Sequence, residues 1–265
     1  MRPRLPLLLG IATGGTLAYV HARKGTQAVE RFAAAALETL LNAIEANDEE
    51  TGLHVRRVAA CALIIADAVG LDHRAKSAVE RVALFHDVGK IHEALFDIVH
   101  DAKRLTSAER KAIATHPKRG ADVLAPLAAF YPELPAGVLA HHERWDGKGY
   151  PRGLRGRRIP LEARIVTIAD TFDAITHARR YRGAADVSRA IEVLEGGRGT
   201  QFDPELIDLT LLPPVIAELS RVQITDAVKH RMRRKGSREI VPDVSFRWRS
   251  ESLGTGRVRA PTKIE

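Results

Sequence analysis

The sequence predicts an all-α fold, on three observations. Apolar residues recur at three- and four-residue steps along most of the chain. No stretch alternates apolar and polar residues as a half-buried strand would. Neither a Gly-rich phosphate loop nor an internal repeat interrupts the helical pattern. With 265 residues, 45% of them hydrophobic, the chain can bury one good core and carry appendages.

The first element is an uncharged run of sixteen residues, Leu5 to Val20, between Arg4 and the Arg23-Lys24 pair. It is shorter than the ~20 residues that span a bilayer and is diluted by Gly10, Thr13, Gly14, Gly15 and Thr16. Residues 1–26 are therefore read as an apolar, basic extension and a candidate short membrane anchor rather than a secretory signal. From residue 27 the helical period sets in: Val29, Phe32, Ala33, Ala36, Leu40, Leu41 and Ile44 share one face. Val55, Val58, Ala59, Ala62, Ile65, Ala66 and Val69 form a second helix, stopped by Gly70. A third runs through Val79, Val82 and Phe85 towards His86. Thr106-Ser107-Ala108-Glu109 reads as a capping box opening a fourth, which should end near His116-Pro117. Further helices are expected over 118–129, 134–143, 161–176 and 186–194, and a last one from Asp203-Pro204, an N-cap followed by proline. Residues 144–160 form a long irregular stretch with four glycines, a length that in a compact domain is usually functional. The domain is placed at 27–214. Beyond it the apolar period fades, and 215–265 reads as a basic, weakly ordered tail.

Charge and cysteine usage exclude some functions. The net charge is +8, but residues 221–265 carry +7 and residues 1–26 carry +4, leaving −3 on 27–220. Basicity lives in the ends, so a nucleic-acid-binding core is not indicated. The single cysteine, Cys61, excludes a disulfide framework; its apolar neighbours suggest a buried small side chain and favour the cytoplasm.

The chemistry-bearing residues cluster by type. His86-Asp87 lies at a helix end, with Lys90 four residues after His86. His116 precedes Pro117, and His141-His142-Glu143 opens the long loop. Glu50 and His54 are four apart at a helix start, and Asp170 and Asp173 three apart on an otherwise apolar helix, so each pair shares a face. Imidazoles mixed with carboxylates suit borderline divalent metals, and Asp87 is a carboxylate able to bridge two of them. Single histidines such as His21, His73, His92, His100, His177 and His230 read as ordinary hydrogen-bonded side chains. Glu50 could equally be an acidic first turn, and Asp173 a group that orients a ligand rather than binding metal.

Residues 43–212 resemble the HD-GYP branch of the HD phosphohydrolase superfamily. The motifs are His86-Asp87-Val88-Gly89-Lys90, His116-Pro117, the run from His141 through Gly149-Tyr150-Pro151, residues 163–174 with Asp170 and Asp173, and Phe202-Asp203-Pro204. The resemblance implies an HD/PDEase-like helical bundle with a long Gly-Tyr-Pro loop. It implies His86, Asp87, His116, His141, His142 and Asp170 as metal ligands, with Glu50 and His54 added in three-metal members. It also implies that Lys90, Arg179 and Arg182 hold substrate phosphates. Two departures stand out: Arg179-Arg180-Tyr181 replaces the usual Arg-Pro-Tyr, and Ile91-His92-Glu93-Ala94-Leu95 replaces the usual Ile-x-Ile-Pro.

The expected activity is a metal-dependent phosphodiesterase that hydrolyses cyclic di-GMP with metal-activated water, Asp87 bridging and Lys90 meeting the phosphate. It would use two or three divalent transition ions, iron or manganese ahead of zinc. Expected partners are a cyclic dinucleotide, a second copy of the chain in a homodimer, and a membrane held weakly by the N-terminus of a cytoplasmic protein. Two rivals remain: the same chemistry on another nucleotide or cyclic dinucleotide, and a non-catalytic nucleotide-sensing module. Tyr150 reads as packing against Pro151, while Arg152, Arg155, Arg157 and Arg158 read equally as an anion-attracting rim or a solvated charge run.

Overall fold

The computed structural model describes residues 29, 31–46, 48–91, 106–177 and 186–222. Among them there are helices, turns and an isolated bridge between Arg198 and Phe202, but no strand. The apolar run 5–20, Arg179 and Arg182, and the chain beyond 222 lie outside the described residues. No described helix is long and apolar enough to cross a membrane. The chain divides into a unit of residues 38–237 and a second made of its two ends, 1–37 and 238–265. Of the second, residue 29 and the helical stretch 31–37 are described.

Helix α1 covers 31–46, burying Leu41 and Ile44. Asp48 caps α2 (Glu49–Val69) by accepting from the Glu50 amide at 3.1 Å, and Gly70 ends it at φ 78°, a left-handed conformation that glycine adopts without steric cost. Asp72 caps α3 (His73–Phe85), and a short 3₁₀ turn, Val88–Ile91, follows. The capping box at Thr106 and Glu109 forms as expected and opens α4 (Ser107–Ile113). The expected end near His116 is three residues late. The chain breaks at Ala114-Thr115, and α5 (His116–Leu124) starts at His116 itself, because Pro117 is accommodated in a first turn, where no helical N–H is needed. A 3₁₀ turn, Ala125–Leu127, and turn residues 128–129 take the rest of the stretch expected as helix 118–129. Then come α6 (Glu133–Ala140), α7 (Leu161–Thr176), α8 (Val187–Gly196) and α9 (Pro204–Thr210). Helix α6 stops three residues short of the expected 143, which frees His141 and His142 from helical geometry. A further helix, α10, covers 213–222 and buries Val215 and Leu219, so ordered structure continues past the limit expected at 214.

Within the unit 38–237, α2 packs on α3, α7 and α9, α6 packs on α3, α5 and α7, and the Val88–Ile91 turn rests on α5. Val58, Ile65, Val82, Phe85, Ile165, Ile168 and Phe172 are buried between α2, α3 and α7. Each contributes about 1.5–3 kcal/mol of transfer free energy. This core packs α2, α3 and α7 together, and so fixes where the histidines and aspartates meet.

Candidate metal centre

Two groups of ligand-type side chains converge: Asp87, His116, His141 and His142, and beside them His54, His86 and Asp170. Asp87 joins them. Its Oδ1 lies 3.3 Å from His116 Nε2 and 3.8 Å from His141 Nε2, while its Oδ2 lies 3.5 Å from His86 Nε2 and 3.9 Å from His54 Nε2. Asp170 closes the second group, its Oδ1 lying 3.3 Å from His54 Nε2 and 4.0 Å from His86 Nε2.

Local structure decides which ring nitrogen faces inward. His86, His116 and His141 each follow or open a helix, and each Nδ1 donates to a carbonyl three residues back: Ala83 at 2.8 Å, Ile113 at 2.7 Å and Val138 at 2.6 Å. This fixes one tautomer and leaves Nε2 with a lone pair towards the centre. His54 is oriented instead by Asp173, whose Oδ2 lies 2.7 Å from His54 Nδ1. Arg57 grips both Asp173 oxygens, with Nε at 2.7 Å and Nη2 at 3.1 Å. His177, read from the sequence as ordinary, places Nδ1 3.0 Å from Asp173 Oδ1.

His54 Nε2, His86 Nε2 and Asp87 Oδ1 are buried and make no hydrogen bond. Leaving such atoms uncompensated costs about 1–3 kcal/mol each. Three orphaned atoms converging with further imidazole and carboxylate donors fit divalent cations. Five of the seven ligand-type groups are also held towards the protonation state that binds a cation. Burial alone would raise Asp87, but Lys90, His86 and His116 hold its carboxyl well below the usual range. Burial and the neighbouring imidazoles push His141 well down, and burial with His116 pushes His142 down to about 4. His86 is lowered by burial, and Asp170 is lowered because His54 and His86 outweigh its burial. His54 differs: burial lowers it, but Asp170 and Asp173 more than compensate and raise it to about 9.

The remaining sequence candidates fall in three places. Lys90 lies on the 3₁₀ turn, not on a continued α-helix, and its Nζ sits 2.6 Å from Asp87 Oδ2. Glu50 is exposed in the first turn of α2 and outside both groups, because the face it shares with His54 leaves the core at the helix end. In the loop, the Tyr150 ring stacks on His142 at 4.9 Å with planes 23° apart, so it packs on a candidate ligand as well as adjoining Pro151 through a cis peptide. Gly149 is required by close approach, since a Cβ there would lie 2.5 Å from the Glu143 Cα. Arg157 pairs with Glu205 at 2.6 Å on the surface.

Sequence reasoning missed three supports. Arg57 is three residues after His54, on the same face of α2. Glu143 is buried, and its carboxylate accepts from the Arg152 and Leu154 amides at 2.7 and 2.9 Å, which pins the loop. Gly89 lets the His86–Lys90 segment touch α5: a Cβ would collide with the His116 carbonyl oxygen and come within 2.6 Å of the Gly120 nitrogen. Gly89→Ala is therefore expected to cost about 1–3 kcal/mol by overpacking and to separate Asp87 from His116. Denaturant unfolding and metal analysis check it; wild-type values in both would show that the contact is easily relieved.

The family model described as HD domain matches residues 38–206. A cyclic di-GMP phosphodiesterase response regulator of Xanthomonas campestris is 38% identical over 177 residues, covering 66% of this chain and 46% of that protein. A cyclic di-GMP phosphodiesterase of Thermotoga maritima is 33% identical, covering 76% and 55%. A 3′3′-cGAMP-specific phosphodiesterase of Vibrio cholerae is 36% identical, covering 65% and 33%. The chain thus spans from a third to just over half of these relatives. The solved structure of a cyclic GMP-AMP-specific phosphodiesterase from V. cholerae shares the fold, with a TM-score of 0.51 and 23% identity over 74% of this chain and 51% of that one.

Proposed function

The chain belongs to the HD domain family, and from that premise we propose that it is a metal-dependent phosphodiesterase opening cyclic di-GMP to the linear dinucleotide. The observation that carries the reading is Asp87, which turns one carboxylate oxygen to each of two adjoining groups of ligands. Asp87, His116, His141 and His142 would hold one divalent ion, and His54, His86 and Asp170 with the other Asp87 oxygen a second. Ions bound there lower the pKa of water and draw off charge from a phosphate. Imidazole and carboxylate donors without thiolate suit iron or manganese, with zinc as a further candidate. The exposure of Glu50 supports two ions rather than three.

Around those ions the chain's own groups orient and neutralise. Lys90, with a quarter of its side chain exposed, stands at the Asp87 edge where a non-bridging phosphate oxygen would meet its ammonium. Asp173 and Arg57 hold His54. Arg179 and Arg182 are assigned the second phosphate on the motif alone. The relatives named cyclic di-GMP phosphodiesterases support the substrate. Those named 3′3′-cGAMP-specific support a second reading, the same reaction on a mixed cyclic dinucleotide. A sensing module without turnover is disfavoured because both ligand groups are complete.

The test is a substrate panel on protein reconstituted with manganese, or with iron under anaerobic conditions. Cyclic di-GMP is expected to give the highest kcat/KM among cyclic di-GMP, 3′3′-cGAMP and nucleoside phosphates. A higher value for 3′3′-cGAMP selects the second reading, and tight binding without product selects the sensor.

A further inference from the structure

We propose that the pocket beside the metal centre is a nucleobase subsite in which Gln201, locked by Arg144, recognises the edge of guanine. The inference rests on the phosphodiesterase reading and adds the choice of base to it. The pocket has a volume of about 260 Å³ and is lined by His142, Arg144, Lys148, Tyr150, Thr167 and Gln201 among others. It begins at His142, a candidate metal ligand, so a phosphate held at the centre would have this space beside it for its nucleoside. The Tyr150 ring stacked on His142 offers an aromatic surface, and exposed Lys148 puts a cation at the rim. An aromatic surface, an amide and a cation together are what a flat heterocycle on a phosphate chain requires.

Gln201 is built into place. Its backbone N–H donates to the Gly197 carbonyl at 2.9 Å, and its carbonyl accepts from the Trp145 N–H at 3.1 Å. Its side-chain Oε1 accepts from Arg144 Nη1 at 3.2 Å, while Arg144 is itself held by both Asp146 oxygens at 3.2 and 2.9 Å. Arginine has only donors, so the amide oxygen must be the atom facing it, and the Gln201 NH₂ is left to donate. A glutamine free to use both ends pairs well with adenine, which offers one acceptor and one donor. Guanine offers two acceptors, O6 and N7, along one edge. With its oxygen already accepting from the Arg144 cation, the remaining lone pair of Gln201 is a weaker acceptor than its NH₂ is a donor, which favours the two-acceptor edge of guanine.

The test compares wild type with Gln201→Glu, which keeps a partner for Arg144 and removes the NH₂ donors, and with Gln201→Met, which removes both polar ends. The substrates are cyclic di-GMP, cyclic di-AMP and the base-free diester bis(p-nitrophenyl) phosphate. The kcat/KM ratio of cyclic di-GMP to cyclic di-AMP is expected to fall roughly tenfold in both variants, the loss of about one hydrogen bond. The ratio of cyclic di-GMP to the base-free diester should fall in parallel. Unchanged ratios, with a wild type that hydrolyses all three, would overturn the subsite and leave the phosphodiesterase reading intact. If the wild type hydrolyses none, that reading fails, and equilibrium binding of cyclic di-GMP decides the subsite alone. Roughly tenfold weaker binding in the variants supports it, and equal binding overturns it.

Discussion

Asp87→Asn is expected to leave a folded protein that has lost about one of its two metal ions and at least about a thousandfold in turnover. Asparagine keeps the size of the side chain and one oxygen, so the pocket between α3 and α5 is not emptied. Its nitrogen is a donor, and cannot replace the oxygen now facing either His116 and His141 or His86 and His54. One ligand group therefore loses its shared carboxylate. An ion that stabilises developing phosphate charge supplies several kcal/mol, and about 4 kcal/mol corresponds to about three orders of magnitude in rate. Metal analysis, thermal unfolding and kcat on the same preparations make the comparison. A variant that keeps two ions and more than about a tenth of wild-type kcat would remove Asp87 from the bridging position.

The position of Asp87 was legible in the sequence because a His-Asp doublet at the end of an apolar helix leaves few places for it. The periodicity of Val79, Val82 and Phe85 directs α3 into the core, and His86 and Asp87 are the next residues on that path. The same logic was applied to Glu50. Four-residue spacing puts it on the His54 face, but spacing does not say how far along the helix that face stays covered, and Glu50 is exposed. Lys90 was placed near Asp87 for a reason the structure changes, since the backbone tightens to a 3₁₀ turn and makes the partner Asp87, three residues back. Arg57 was missed because an arginine beside an apolar stripe reads as solvated. Its partner, Asp173, lies 116 residues away, and such pairings leave no local trace. Gln201 was missed for the same reason: its link to Arg144 spans 57 residues.

Arg57→Met is expected to separate stability from metal binding. Arg57 is 11% exposed and Asp173 1% exposed, so removing the guanidinium leaves a buried carboxylate with only His54 and His177 beside it. Breaking a buried pair from one side costs about 3–5 kcal/mol, whereas replacing both partners with apolar side chains is often close to neutral. The single variant should therefore be destabilised by about that amount, and Arg57→Met/Asp173→Leu should recover most of it. Metal binding should not follow. In the double variant His54 Nδ1 has lost its acceptor, so neither the tautomer nor the ring orientation that turns Nε2 towards Asp170 is fixed. Loss of such a supporting partner typically lowers metal affinity about 10–100-fold. The loss should be confined to the ion at His54, His86 and Asp170, because His86, His116 and His141 are oriented by backbone carbonyls that neither substitution touches. Titrating metal-free protein with Mn²⁺ should show two classes of site in wild type, with only one weakened in the double variant. If the double variant regains stability and binds both ions as wild type does, Arg57 and Asp173 serve the fold alone.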